Sequence, residues 1–110
     1  MTVITLFQGK EGLVGLESRG HSGQASRGED VVCAAISALV QALLVGLRDV
    51  ALLGDFADCK IDASVPVIRI QWPENRVKEL DLLTRTVALS LKEIASGYPG
   101  YVSIAEVWLS

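Results

Sequence analysis

The stretch VVCAAISALVQALLVGL, Val31 to Leu47, runs for 17 residues without a charge. No other segment restricts the fold as strongly. Its length and composition predict a helix from about Val31 to Leu53, with Asp30 as N-cap and Gly54 as the C-terminal stop. A helix apolar nearly all round is buried on more than one side. Seventeen residues also approach the lower limit for a membrane span. Ser37, Gln41 and Gly46 interrupt the run, and amphipathic elements surround it, so it reads as a core helix with no membrane partner.

The rest of the chain supplies a sheet. TVITLFQ, Thr2–Gln8, and LVGLESRG, Leu13–Gly20, alternate as strands around the turn GKEG and form a hairpin. CKIDAS, Cys59–Ser64, and PVIRIQW, Pro66–Trp72, read as two more short strands. Asn75 can cap a second helix, in which Val77, Leu80, Leu83, Val87, Leu91 and Ile94 share one face. Gly97 ends that helix, and YVSIAEVWL, Tyr101–Leu109, is the last strand. The order ββαββαβ is an α+β fold with two helices packed on a single small sheet. Two helices leave one side of the first uncovered, so a homodimer is expected to supply the second layer.

At 110 residues the chain fits one domain, spanning 1–110. The net charge is −3, with Lys and Arg scattered, so no direct nucleic-acid partner is expected. There are two cysteines, Cys33 and Cys59, and the N-terminal MTVITLFQGK reads as a strand rather than a signal peptide. A reduced, cytoplasmic setting follows as the expectation.

The single histidine, His21, and Cys33 flank a polar loop containing Gly20, Gly23 and Gly28. That spacing puts a histidine at a strand end and Cys33 at the third position of the helix. Free amides and the helix dipole favour a thiolate there. An imidazole nearby can carry the proton, and the amides can hold an oxyanion. Such a constellation suits acyl transfer, such as peptide hydrolysis. The plainer readings are a small buried Cys in an apolar helix and a solvated His in a loop.

The run GHSGQASRGEDVVCAAISAL resembles the signature of the ribosomal-processing cysteine protease family, Prp. The matching residues are Gly20-His21 and Gly28-Glu29-Asp30-Val31-Val32-Cys33-Ala34-Ala35. The resemblance implies a dimeric Cys–His protease with Cys33 as nucleophile and His21 as base. It also implies a substrate: a precursor of large-subunit ribosomal protein twenty-seven, whose N-terminal extension is removed. Ser22 stands where the family often has Ala, and the loop interior SGQASR is polar.

Asp30 and Ser37 are candidate supporting residues. Asp30 can orient His21 or simply cap the helix. Ser37, at i+4 from Cys33, can line the cleft or bond back to its own helix. Cys59 reads as structural, since His21, Cys33 and Cys59 lack a fourth metal ligand and any CxxC element. No metal or cofactor is expected. Trp72 and Trp108 read as packing residues at strand ends. The loop from Gly20 to Gly28 is expected to be mobile in the free protein and to order on substrate binding. The rival readings are a non-catalytic ribosome-assembly or peptide-binding module and a small thiol-redox protein. A protease-type Cys33 would alkylate faster than an ordinary thiol.

Overall fold

Alternating apolar and polar residues at the start of the chain give β1, Thr2–Gly9, and β2, Gly12–Arg19. Lys10 and Glu11 turn the hairpin, and Gly12 closes it at φ +134°, a state that L side chains rarely adopt. The computed structural model describes residues 1–20, 27–54, 58–62 and 67–109. Five strands form one sheet in the order β3-β4-β2-β1-β5, with β3 at Asp58–Asp62, β4 at Val67–Gln71 and β5 at Val102–Trp108. β1 runs antiparallel to β2 and parallel to β5. β4 is antiparallel to both β2 and β3.

These pairings make β2 parallel to β3, and β4 parallel to β5. Two crossover helices are therefore required, and α1, Arg27–Val45, and α2, Val77–Gly97, supply them. The crossovers start from oppositely directed strands and run in opposite directions along the sheet. Right-handed connections then put both helices on the same face. The α+β order ββαββαβ expected from the sequence is the order observed.

The core lies between that face and the helices. Thr2, Ile4 and Leu6 alternate inward on β1, and Leu16, Ile70 and Val102 face the same side from neighbouring strands. From α1, Val32, Ile36, Val40 and Leu43 enter at three- and four-residue steps. From α2 the predicted stripe holds, with Val77, Leu80, Val87 and Leu91 buried and Leu83 and Ile94 packed at its margin. Trp72 is a core residue, donating its indole N–H to the Leu13 carbonyl at 2.8 Å. Trp108 is exposed at the end of β5.

Three helix boundaries differ from the sequence reading. α1 begins at Arg27 rather than after Asp30, so Asp30 is its fourth residue and not its N-cap. Acidic residues are favoured anywhere in a first turn, not at the cap alone, so the residue type did not fix the position. At the other end, α1 widens into a π-helical turn over Gly46–Val50, closed by Ala51 N–H to the Gly46 carbonyl at 2.8 Å. Leu52, not Gly54, is the first residue to turn left-handed, at φ 59°, and Leu53 then bonds back to the Leu47 carbonyl. Finally, a short 3₁₀ turn at Glu74–Arg76 leads into α2, so Asn75 does not cap it. Arg76 instead holds Glu79 in a two-pronged ion pair, and that hydrogen bond keeps the Glu79 carboxyl below its ordinary pKa.

By length and composition Val31–Val50, with mean hydropathy 2.1, could cross a membrane. In this fold it is the core helix, with Val32, Ile36, Val40, Leu43 and Leu47 buried in the core. Only 33% of its most apolar window is buried within the chain, so an apolar face is left over.

Leu6, Leu16 and Ile70 form one buried row across β1, β2 and β4. Truncating the central member leaves a cavity that flanking strands cannot close. Leu16→Ala should cost about 2–5 kcal/mol in denaturant unfolding. An unchanged midpoint would contradict this packing.

Candidate active site

The site begins at the N-terminal end of β1. The inward alternation of this strand is apolar except at its first residue, Thr2, which is 3% exposed. Its backbone N–H bonds to the Tyr101 carbonyl at 2.9 Å, which fixes the strand start against the turn before β5. Its hydroxyl Oγ1 lies 3.4 Å from Cys33 Sγ, a hydrogen-bonding distance for sulfur. Cys33 is half-buried.

β2 delivers the next segment. Arg19 pairs with Val3, and Gly20 follows beside Thr2. A Cβ at Gly20 would sit 2.9 Å from Thr2 Oγ1. Only glycine lets the strand end approach this closely. Gly20 therefore touches the side chain that touches the sulfur, and His21 is the residue after it. His21 and Gly23 lie outside the described residues.

Gly28 is placed differently from the sequence expectation. It is the second residue of α1 and so part of the helix, not of the loop. A Cβ there would lie 3.2 Å from the Tyr101 hydroxyl. Tyr101 in turn packs at an angle on Tyr98, with ring centres 6.5 Å apart.

The earlier start of α1 also corrects the position of Cys33, which is the seventh helical residue rather than the third. Its own N–H lies within the helical ladder. The free amides of the helix start come one turn before it. They cannot include the Cys33 amide as an oxyanion donor. Asp30 belongs to that first turn, and Ser37 is exposed one turn beyond Cys33.

Cys59 is remote from the site. Its backbone pairs with Ile70, in the row of Leu16 and Leu6. That puts it three strand spacings from β1, about 14 Å, and about 13 Å along the strand from Thr2. A disulfide with Cys33 is out of reach. Among the described residues no group of three or more metal-ligating side chains gathers.

Sequence reasoning missed Thr2 and Tyr101. Thr2 carried a readable signal, being the one hydroxyl on an otherwise apolar inward register of Thr2, Ile4 and Leu6. Tyr101 carried none, because its place against Gly28 depends on the crossover of α2.

The sequence model of the family described as cysteine protease Prp matches residues 1–103. The chain belongs to the Prp cysteine protease family. It is 28% identical over 91 residues to the ribosomal processing cysteine protease Prp of Mycoplasma pneumoniae, covering 83% of this chain and 85% of that one. The fold matches the crystal structure of SMU.848 from Streptococcus mutans with TM-score 0.84 and 24% identity, over 99% of this chain and 96% of that one. It also matches the essential ribosomal processing protease Prp of S. aureus, solved with a substrate peptide, with TM-score 0.83 and 20% identity. That match covers 97% of this chain and 100% of the other. The Prp fold here is the α+β sheet whose β1 start, β2 end and α1 meet around Cys33.

The close approach of Gly20 to Thr2 has a direct test. Threonine is stiff about χ1 and this one is buried, so it cannot swing aside freely. Gly20→Ala should destabilise the fold by about 1–3 kcal/mol, read as a lower midpoint in denaturant unfolding. A wild-type midpoint would mean that the strand end does not press on Thr2.

Proposed function

We propose that this chain is a cysteine endopeptidase that removes the N-terminal extension from the precursor of large-subunit ribosomal protein twenty-seven. The observation that carries the reading is the half-buried Cys33 sulfur in contact with Thr2, whose side chain Gly20 also touches, with His21 next in sequence after Gly20. Support also comes from the relatives. The Mycoplasma pneumoniae protein is named for ribosomal processing, and the S. aureus protease has been solved with a substrate peptide and with a covalently linked product peptide.

In this reading Cys33 and His21 form the dyad. His21 takes the thiol proton, and the Cys33 sulfur attacks the scissile carbonyl carbon. The C–S bond forms, the C–N bond breaks, and the imidazolium gives its proton to the leaving amine. A thioester remains on Cys33. His21 then takes a proton from water, whose oxygen attacks the thioester. The acid leaves, and the proton returns to sulfur. No metal or cofactor enters these steps. Asp30 and Ser37, both on α1 near Cys33 in sequence, are the supporting candidates.

The test is cleavage of a peptide that spans the extension junction. Cys33→Ala and His21→Ala should each abolish it, whereas Cys59→Ser, remote on β3, should leave it near wild type. Full activity in Cys33→Ala would overturn the assignment. A peptide-binding module without catalysis would bind the peptide and leave it intact in every form.

We also propose that the protein acts as a homodimer in the cytoplasm, where ribosomes assemble and a nucleophilic thiol stays reduced. The outward face of α1 supports the dimer. Val31 is 67% exposed, and Ala34, Ala35, Ala38, Ala42 and Val45 continue the same apolar side. Small residues let a second helix approach closely, and a two-fold axis lets the same face cover itself. Sedimentation at micromolar concentration should give about twice the chain mass of 11.8 kDa. Ala38→Glu should give the monomer. A monomeric wild-type protein would contradict the proposal.

A further inference from the structure

We propose that Thr2 is a positioning residue for the reaction: its buried hydroxyl donates a hydrogen bond to the Cys33 sulfur, holding the thiolate and its orientation. The inference rests on Cys33 being the nucleophile, and it adds a residue that neither the dyad nor its supporting candidates include.

Three observations carry it. First, Thr2 is a buried polar residue at a position where the strand register calls for an apolar one. A valine would fill the same space, so the hydroxyl needs a reason to be there. Second, that hydroxyl is 3.4 Å from Cys33 Sγ. A buried O–H without an acceptor costs about 1–3 kcal/mol, so the group must donate to something. A thiol is a weak acceptor, whereas a thiolate is a strong one. The bond is therefore stronger in the ionised state than in the neutral one, and it favours the reactive form. Third, the hydroxyl is pinned. The Thr2 backbone is tied to Tyr101, its β-branched side chain turns with difficulty, and Gly20 closes the space beside it. A fixed donor loses no orientational freedom as charge develops on sulfur.

Thr2 occupies the sheet side of the sulfur, so a substrate carbonyl would have to approach from another side. Loss of the hydroxyl would both weaken the thiolate and let the side chain swing.

The experiment uses the full chain carrying Cys59→Ser, so that Cys33 is the only thiol. The rate of iodoacetamide alkylation is followed against pH, and peptide cleavage is measured in parallel. Thr2→Val keeps shape, burial and strand preference while deleting the donor. It should raise the midpoint of the alkylation profile by about one pH unit, which slows alkylation about tenfold at pH values below both midpoints. It should lower kcat with little change in KM. Thr2→Ser, which restores a hydroxyl, should bring the midpoint back toward that of the parent. A purely structural Thr2 would change the unfolding midpoint but not the alkylation profile. An unshifted or lowered midpoint in Thr2→Val would overturn the proposal. Because alkylation reads the sulfur without proteolysis, that failure is separate from failure of Cys33 as nucleophile, which Cys33→Ala decides.

Discussion

The contact between Thr2 on β1 and Cys33 on α1 joins elements that are far apart in sequence, and the site depends on it. A strand start and a helix's second turn meet there, with Gly20 from a second strand packed beside them. The parallel pairing of β1 with β5 brings Tyr101 into the same corner. None of these segments can be positioned without the sheet order β3-β4-β2-β1-β5, which makes β1 the strand that both β2 and β5 flank. Cys33 is therefore placed by topology rather than by the local helix alone.

Folding stability and chemistry share the same residues. The inward register of β1 runs Thr2, Ile4, Leu6, so the residue that holds the sulfur is continuous with those that anchor the core. Along α1, Cys33 lies beside Val32 and ahead of Ile36, both buried. The helix cannot rotate to move Cys33 without lifting those side chains from the sheet. A small domain has only about 5–15 kcal/mol of net stability, so such coupling gives a rigid sulfur at little extra cost in structure. The surplus apolar side of α1 points away from the sheet. Covering it with a second copy would leave the Thr2 side of Cys33 unaffected.

The sequence made the fold readable because its signals were redundant. The β-branched alternation of the first strand, the uncharged run of α1 and the stripe of α2 each specify one element. Their order leaves few topologies once crossovers must be right-handed. Helix ends were less legible. Asp30 looked like a cap because a cap and a first-turn acid satisfy the same dipole, and α1 begins at Arg27. That shift moved Cys33 into the second turn and removed its own amide as an oxyanion donor. Gly28 looked like loop because glycine permits many conformations, yet it lies in α1 against Tyr101. Cys33 was legible from the motif around it. Thr2 is marked only as the one hydroxyl on an apolar register, and the sequence does not say which residue across the fold it meets.

The central claim is that Cys33 forms a covalent bond to the substrate's acyl group. The most direct measurement is intact-protein mass spectrometry after acid quench of a single turnover with a peptide spanning the extension junction, followed by mapping of the adduct. The account predicts a mass increase equal to the N-terminal cleavage fragment less one water, located on Cys33. Cleaved peptide with no adduct under conditions that trap thioesters, or an adduct on Cys59, would contradict it.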